Sequence, residues 1–348
     1  MRYPKALSKN GTIGFVAPSF GCNIEPYRTR FEQAQQAFQE RGHGLDLGPN
    51  CYVGEGIGIS STPEKCGREL TEWYCRTENQ ALISCGGGEL MCEILDYVDW
   101  DKIRAAAPKW YMGFSDNTNF TFLLPTLCDT AAIYGPCATS FGMRPWHESL
   151  QDAYELLRCE RTAVKGYPLW EKAEPETEEA DPLAPYHLTE PKILKSFVGE
   201  RPAQAQEELG FAGRLLGGCM DCLVNLTGTC YDEVPAFIRR YQEDGIIWFL
   251  ESCDLTVMAM RRAIWQMKHS GWFDHVKGFV VGRPLHFGEE AMGLDSYHAV
   301  LDLLAEYQAP VIMDADLGHL PPMMPIICGA LGQVQVRGNE IRLEYEKR

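Results

Sequence analysis

One pattern in the first half of the chain constrains the fold more than any other. A short apolar run, a turn and a helix-length segment recur three times: TIGFVAPSF with YRTRFEQAQQAFQERG, ALISCGGG with ELMCEILDYVDWDKI, and KWYMGFSD with NTNFTFLLPTLCD. Strands that alternate with helices predict a parallel sheet with helices on both faces. Ligand sites in such folds lie beyond the carboxyl ends of the strands. Ser115 and the glycines at 86 to 88 both fall at such ends.

The second half returns to apolar runs after a break in this pattern. Residues 161–205 are rich in Pro and Glu, which favours an acidic linker or lid. Because 348 residues exceed what one hydrophobic core usually organises, we expect two domains, an N-terminal α/β domain over residues 1–160 and a C-terminal domain over residues 206–348. A closing hairpin is predicted at Arg337-Gly338-Asn339.

Charge and hydropathy exclude several classes of partner. The chain carries 48 acidic and 32 basic side chains, a formal net charge of −16. Such a charge repels phosphate backbones and anionic lipid, so we expect neither a nucleic-acid partner nor a membrane partner. The N-terminus has no long apolar core followed by a small-residue cleavage site, and no later run approaches the length of a membrane span. These features predict a cytoplasmic protein.

Fourteen cysteines are spread along the chain from Cys22 to Cys328. Without an export signal, this spread predicts free and mostly buried thiols. Cys219 and Cys222 have the C-x-x-C spacing of a metal knuckle or a redox site, but no second pair follows at zinc-finger distance. Packing is the favoured interpretation of this pair, and we expect neither a metal nor a cofactor.

Ser115, in GFSD, stands at a strand-to-helix turn and has two interpretations. Such a turn exposes its apex and brings N–H groups of the next helix close, which suits a nucleophile and the oxyanion that it generates. A serine before Asp-Asn-Thr is equally typical of a helix N-cap, which local sequence favours. The turn is not the G-x-S-x-G elbow, because Asn117 replaces the second glycine.

A serine nucleophile needs a base, and the base needs an acceptor that orients it. His319 follows Gly318 in a turn after an apolar strand, whereas His286 in GRPLHF is a competing candidate, and the residues alone do not choose between them. Glu251 ends the apolar strand IIWFL. This carboxylate is a candidate orienting group, with a structural ion pair as the alternative.

The triple glycine in CGGGE invites a nucleotide-binding interpretation. It lacks the G-x-G-x-x-G spacing, however, and Glu89 stands close to where a phosphate would lie. Glycines here would equally let the backbone approach a substrate carbonyl and donate an N–H group to it.

Several motifs occur in a particular order along the chain: GFVAPS, GG before ILDYVDW, GFSD, YGP, GRLLGGCMDCLVNLTGT, FLE, and GH before PIICGALGQV. In this order the chain resembles the LD-carboxypeptidase family of serine peptidases over nearly its whole length. That family includes enzymes that trim the terminal D-alanine from murein tetrapeptides and the microcin C immunity peptidases.

The resemblance implies a Ser-Glu-His triad of Ser115, Glu251 and His319, which hydrolyses an amide bond through an acyl-enzyme. The oxyanion would be held by the backbone N–H of Asp116 and by that of Gly87 or Gly88. The resemblance also implies a Rossmann-like (flavodoxin-like) N-terminal domain that carries the nucleophile and a smaller C-terminal α/β domain that carries the other two residues. The expected partners are a small peptide or peptidyl-nucleotide substrate and a second copy of the chain.

Departures from the family pattern leave the substrate open. The chain reads GGGEL where murein-trimming members usually read Arg-Gly-Gly-Tyr-Gly, MC where microcin-type members often have Ser-Asn, and Cys219 where Asn is usual. The overall length and the Trp-containing insertion before the second domain look closer to the microcin-immunity branch, in which a loop aromatic stacks on the adenine of the substrate. By this resemblance Trp170 is a candidate for that role, with a hydrophobic anchor as the alternative. Two other classes remain: a non-catalytic ligand-binding protein on this scaffold, and an oxidoreductase that rests only on the α/β pattern.

Overall fold

The computed structural model describes residues 1–172, 181–204 and 206–346, so residues 173–180 and 205 of the predicted linker lie outside the described residues. The chain divides into two compact units. The first comprises Met1–Arg161, Glu174–Tyr186 and Pro325–Ile327. The second comprises Thr162–Ala173, His187–Met324 and Cys328–Arg348.

The first part of the chain alternates strands and helices in the predicted manner. Its elements are β1 (Thr12–Val16), α1 (Tyr27–Glu40), β2 (Gly44–Leu47), α2 (Pro63–Cys75), β3 (Ala81–Ser84), a 3-10 helix (Met91–Tyr97), α3 (Trp100–Ala105), β4 (Trp110–Gly113), a 3-10 helix (Ser115–Asn117), α4 (Thr118–Thr121), α5 (Leu123–Cys128), β5 (Ala132–Tyr134), a 3-10 helix (Ala138–Gly142) and α6 (Glu148–Leu157).

The remaining elements are dominated by strands. They are β6 (Ala163–Lys165), β7 (Leu169–Trp170), β8 (Glu190–Pro191), β9 (Lys195–Val198), β10 (Arg201–Pro202), β11 (Glu208–Cys219), α7 (Met220–Leu226), α8 (Val234–Arg240), β12 (Ile246–Glu251), α9 (Val257–His269), β13 (Val276–Gly282), β14 (Glu290–Ala291), β15 (Leu294–Asp295), α10 (Ser296–Leu304), a 3-10 helix (Ala305–Tyr307), β16 (Pro310–Ala315), β17 (Ile326–Cys328), β18 (Leu331–Arg337) and β19 (Glu340–Tyr345).

The sheet of the first unit has the strand order β2-β1-β3-β4-β5, with β17 beyond β5. Strands β1 to β5 are all parallel to their neighbours. This is the flavodoxin-like order, in which ligands bind beyond the carboxyl ends of β1 and β3, where the strand order reverses. The predicted α/β fold is confirmed, and this edge of the sheet carries the loops that begin at Ala17 and Cys85.

Helix α2 shows how local sequence builds this layer. Pro63 occupies the first turn, and the Thr62 hydroxyl caps the helix by accepting from the Lys65 N–H at 3.3 Å. Its apolar face includes Leu70 and Trp73, which are buried in the cluster that also contains residues of β3 and β4. Full burial of one such leucine stabilises the fold by roughly 1.5–3 kcal/mol.

The sheet of the second unit has the order β10-β9-β16-β13-β12-β11-β18-β19-β6. Strands β11, β12, β13 and β16 are parallel, and antiparallel strands flank them on both sides. Strand β12 is buried along its whole length. Strands β18 and β19 form the predicted hairpin, in which Arg337 pairs with Glu340 and Gly338 has φ +57°. None of the described helices is both long enough and apolar enough to cross a membrane.

Part of the segment that was interpreted as a linker or lid lies in this sheet. Strand β6 pairs with β19, and strand β9 pairs with β16. Both strands are short and each carries a lysine. Strand β6 lies at one edge of the sheet, and the two-residue strand β10, Arg201–Pro202, forms the other edge beside β9. Strands of three and four residues are too short to show a clear apolar alternation in the sequence.

Candidate active site

Ser115 follows β4 and is the first residue of a 3-10 helix. The N-cap of that helix is Phe114 and the N-cap of α4 is Asn117, so the interpretation of Ser115 as an N-cap is wrong. Ser115 has φ +61°, and its N–H donates to the Tyr134 hydroxyl at 3.2 Å. Non-glycine residues keep such a φ only where their surroundings impose it, and they cluster at functional sites.

Asn117 links this turn by a hydrogen bond to the loop after β3. Its buried side chain donates to the Gly86 carbonyl at 2.8 Å and to the Phe114 carbonyl at 3.1 Å, and it accepts from the Tyr111 hydroxyl. A methyl group at Gly113 would lie 2.8 Å from the Asn117 Cβ. In the sequence, Asn117 is a departure from the serine elbow, and no local pattern there indicates this role.

The Asp116 side chain is a second anchor that sequence analysis missed. Its carboxylate accepts from the Ser19 hydroxyl at 2.6 Å, the Met91 N–H at 2.9 Å and the Asn119 amide at 3.1 Å. Burial raises the pKa of Asp116 to about 6, although the hydrogen bonds from Ser19 and Met91 oppose that rise. The carboxylate therefore joins the loop after β1 and the 3-10 helix at Met91 to the Ser115 turn.

Gly87 lies directly beside Ser115. A Cβ built on Gly87 would lie 3.2 Å from the Ser115 Cβ and 3.3 Å from its Oγ, and one built on Gly88 would lie 2.1 Å from the Ser19 Oγ. Within residues 1–172, 181–204 and 206–346, the N–H groups of Gly87 and Gly88 donate no hydrogen bond. The glycine turn thus brings backbone close to the serine, as a donor to a substrate oxygen would require.

Glu251 and His319 form a hydrogen-bonded pair in the second unit. Glu251 ends β12 and is fully buried, and His319 lies in the loop after β16. The distance from the His319 Nδ1 to the Glu251 Oε2 is 2.8 Å. His286, the competing candidate, has an exposed side chain. The geometry therefore favours His319 as the base.

Two glycines permit this pairing. Gly318 has φ +103°, and a Cβ on it would lie 2.5 Å from the Glu251 Oε2. A Cβ on Gly282 would lie 2.1 Å from the Leu317 carbonyl oxygen and 3.1 Å from the Glu251 Cβ. Any side chain at either position would push the loop that carries His319 away from the carboxylate.

The environment of His319 favours its charged form. Burial by itself lowers the pKa of His319, but the charge of Glu251 and hydrogen bonds to Cys253 and Glu251 raise it, and the resulting pKa lies well above the ordinary value of 6.5. With Glu251 as the acceptor, the Nδ1 atom carries the proton in the neutral ring and leaves Nε2 as the base.

Cys219 ends β11, and Cys222 lies in the first turn of α7. Both thiols are buried and neither forms a disulfide, and burial raises the pKa of Cys219 well above its ordinary value of 9.0. The described part of the chain contains no group of three or more His, Cys, Asp or Glu side chains that could hold a metal ion. The arrangement agrees with a packing role.

Trp170 is only 5% exposed. Its indole N–H donates to the Pro191 carbonyl at 3.2 Å, and its ring contacts Phe287 at a centroid distance of 5.1 Å and the Arg283 guanidinium at 4.9 Å. These contacts support the hydrophobic-anchor alternative over a ring that stacks on a ligand.

Two family models match the chain: the LD-carboxypeptidase N-terminal domain over residues 13–135 and the LD-carboxypeptidase C-terminal domain over residues 212–334. The matches define the class of the protein, a serine-type carboxypeptidase. Ser115 lies in the first matched range, and Glu251 and His319 lie in the second. The chain belongs to the LD-carboxypeptidase family.

Individual relatives agree with this assignment. A Vibrio cholerae protein whose name describes it as a carboxypeptidase is 24% identical, and the match covers 99% of this chain and 98% of the relative. The structure of the microcin C7 self immunity protein MccF in complex with aspartyl sulfamoyl adenosine is 21% identical, with a TM-score of 0.81 over 99% of this chain and 98% of that one. The muramoyltetrapeptide carboxypeptidase of Oxalobacter formigenes is 18% identical, with a TM-score of 0.70 over 97% and 99% of the two chains.

Proposed function

We propose that this carboxypeptidase hydrolyses an amide bond in a small non-standard peptide through a triad of Ser115, His319 and Glu251. The observation that carries the proposal is the 2.8 Å hydrogen bond between the His319 Nδ1 and the buried Glu251 carboxylate. A base held by a buried acceptor is the arrangement that serine hydrolysis requires. The unusual φ of Ser115 and its close contact with Gly87 support its role as the nucleophile.

In the proposed reaction, the His319 Nε2 takes the Ser115 hydroxyl proton as Oγ attacks the amide carbonyl. Glu251 holds the ring and stabilises the imidazolium through the Nδ1–H. His319 then gives the proton to the leaving amine, and the C–N bond breaks to leave an acyl group on Ser115. Water, deprotonated by His319, hydrolyses this ester and restores the serine.

The negative charge on the carbonyl oxygen would be stabilised by backbone donors. We assign them to the N–H of Asp116, which begins the helix after Ser115, and to the N–H of Gly87, with Gly88 as the alternative. The contact between Gly87 and Ser115 supports the choice of Gly87. The Asp116 carboxylate has a separate task, since its hydrogen bonds to Ser19 and Met91 hold the turn in place.

The substrate that we favour is a murein tetrapeptide, from which the terminal D-alanine would be released. The chain belongs to the LD-carboxypeptidase family, and the buried position of Trp170 removes the aromatic side chain that sequence analysis suggested for nucleotide stacking. An aminoacyl- or peptidyl-nucleotide is the second candidate. It is supported by the full-length likeness to MccF, which was solved with aspartyl sulfamoyl adenosine.

The proposal assigns the nucleophile to the N-terminal domain, residues 1–160, and the other two triad members to the C-terminal domain, residues 206–348. A cytoplasmic location and a homodimer remain predictions from the sequence. Sedimentation equilibrium of the purified chain tests the dimer.

The experiment that tests the function compares the wild-type protein with Ser115→Ala and with Ser8→Ala. Ser8 is an exposed serine that bonds Gln80, so it provides a matched control. Each protein is incubated with a murein tetrapeptide and separately with an aspartyl-nucleotide, and the products are identified by mass. We expect cleavage by the wild type and Ser8→Ala only. Full turnover by Ser115→Ala would refute the assignment, and binding without cleavage by the wild type would instead support a non-catalytic protein.

A further inference from the structure

Arg283 is a fully buried cation at the carboxyl end of β13. Its guanidinium donates to the Asp314 carbonyl at 2.7 Å and to the Asp316 carboxylate. The two acceptors lie on either side of Ala315, the last residue of β16. The planar guanidinium of Arg283 therefore binds both the backbone and a side chain of the segment that leads to His319.

Asp316 receives further donors from the same unit. Its carboxylate accepts from the Tyr167 N–H at 2.7 Å, and the Lys192 ammonium lies 3.7 Å away. Its carbonyl accepts from the Met324 N–H at 2.8 Å, which closes the loop that contains His319. Both ends of that loop are thereby held at Asp316.

The segment around Arg283 also touches the other member of the pair. The Leu285 N–H donates to the carbonyl of Ser252, the residue after Glu251, at 3.1 Å. Gly282 packs against the Leu317 carbonyl and the Glu251 side chain. The end of β13 thus lies between the two strand ends that supply Glu251 and His319, and it contacts both.

Stability alone does not account for this cluster. A buried ion pair commonly stabilises a fold no better than apolar side chains of the same volume. The Arg283 Nε–H also has no acceptor among the described residues, which is a further cost. A fixed geometry does account for it, because the two acceptors and the Trp170 ring, whose centroid lies 4.9 Å from the Arg283 Cζ, restrict the orientation of the guanidinium.

We propose that Arg283 is a positioning residue for His319: by binding the Asp314 carbonyl and the Asp316 carboxylate, it fixes the segment from which His319 reaches Glu251. The inference rests on the proposed function, because the position of the His319 ring matters for activity when His319 is the base. Arg283 itself does not touch the substrate in this account.

The test uses Arg283→Lys, which keeps the charge and loses the planar fork. Proton NMR of the full chain in water should show a low-field resonance from the His319 Nδ1–H, assigned as the one that disappears in His319→Asn. We expect Arg283→Lys to lose this resonance and to lower kcat about 100-fold with little change in KM, because small misplacements of a catalytic group have effects of that size.

Arg214→Lys is the matched control. Arg214 is partly buried, pairs with Asp244 at 2.6 Å and, like Arg283, lies against an aromatic ring, that of Tyr241. It is on β11 beside Ile246, at the opposite end of β12 from Glu251. This variant should keep both the resonance and kcat. If Arg283→Lys behaves like Arg214→Lys, the proposal is overturned.

A second variant covers the case in which Arg283→Lys is unfolded by circular dichroism. Asp316→Asn keeps an acceptor for Tyr167 and removes the charge that Arg283 binds. A folded Asp316→Asn protein with an unchanged resonance and kcat would overturn the proposal, and loss of both would support it. The resonance needs no substrate, so it reports on Arg283 even if Ser115→Ala retains hydrolysis and the proposed function fails.

Discussion

Gly318 lies so close to Glu251 that a methyl group on Gly318 would be 2.5 Å from the Glu251 Oε2. The hydrogen bond between Glu251 and His319 therefore depends on a neighbouring residue that has no side chain. Both the position of Gly318 and its φ of +103° belong to the turn that presents the histidine.

Gly318→Ala should abolish most of the activity, since the new methyl group must displace the carboxylate or the loop. Gly228→Ala is the control, because Gly228 also has a positive φ, +76°, but no atom of the described residues lies within 4 Å of its built Cβ. Both variants should lose roughly 1–2 kcal/mol of stability from backbone strain, and only Gly318→Ala should lose turnover. Equal kcat and KM values for Gly318→Ala and Gly228→Ala would show that the close approach of Gly318 to Glu251 does not affect catalysis.

Gly87→Ala should lower kcat without unfolding the protein. The φ of Gly87 is not in the left-handed region, so alanine introduces no backbone strain there, but its methyl group would press against Ser115. A reduction of about 100-fold is expected if the nearby N–H is an oxyanion donor. Gly86→Ala is the control, since among the residues that the structure describes its built Cβ meets only the Phe20 carbonyl, at 3.6 Å. If steady-state kinetics show a larger loss of kcat in Gly86→Ala than in Gly87→Ala, the assignment of the Gly87 N–H as an oxyanion donor is contradicted.

The pH dependence of kcat/KM should report the titration of His319. Because Glu251 and Cys253 raise the pKa of His319 against the effect of burial, activity should increase with pH through a pKa above 6.5, as the ring loses its proton. Cys253→Ala removes one of the interactions that raise this pKa, so the acidic limb should move to lower pH. A shift of the acidic limb to higher pH in Cys253→Ala would show that the Cys253 thiol lowers the pKa of His319.

Some parts of this site could be predicted from the sequence, and others could not. The repeated pattern of apolar run, turn and helix predicted the first sheet, and parallel strands place Ser115 and Gly87 at one edge. Glu251 and His319 are 68 residues apart, and local pattern could not separate His319 from His286 because loop conformation decides which ring reaches the carboxylate. Asn117, the Asp116 side chain and Arg283 were missed because their roles depend on burial among distant segments. Strands β6 and β9 were missed because, at three and four residues, they are too short to show a clear apolar alternation.

Glu69 should make the folded protein less stable as the pH rises. Its carboxyl is buried and accepts from the Ala17 N–H at 3.0 Å and the Asn50 N–H at 2.8 Å, yet burial outweighs these bonds and raises the pKa of Glu69 from 4.5 to about 7. Between these values the folded state holds the proton that the unfolded state has lost, so stability falls by about 3 kcal/mol from pH 4.5 to above pH 7.

Thermal unfolding of Glu69→Gln at several pH values tests this. The variant lacks the titrating group, so its stability relative to the wild type should improve as the pH rises from 5 to 8. A difference in stability between Glu69→Gln and the wild type that stays constant from pH 5 to 8 would rule out Glu69 as the source of the pH dependence.

The triad is tested most directly by labelling with a fluorophosphonate and mapping the modified peptide by mass spectrometry. The account predicts a label on Ser115 in the wild type and in His286→Ala, and strongly reduced labelling in His319→Ala, because Glu251 holds the His319 ring at 2.8 Å. Undiminished labelling of Ser115 in His319→Ala, or a label on another residue, would contradict it.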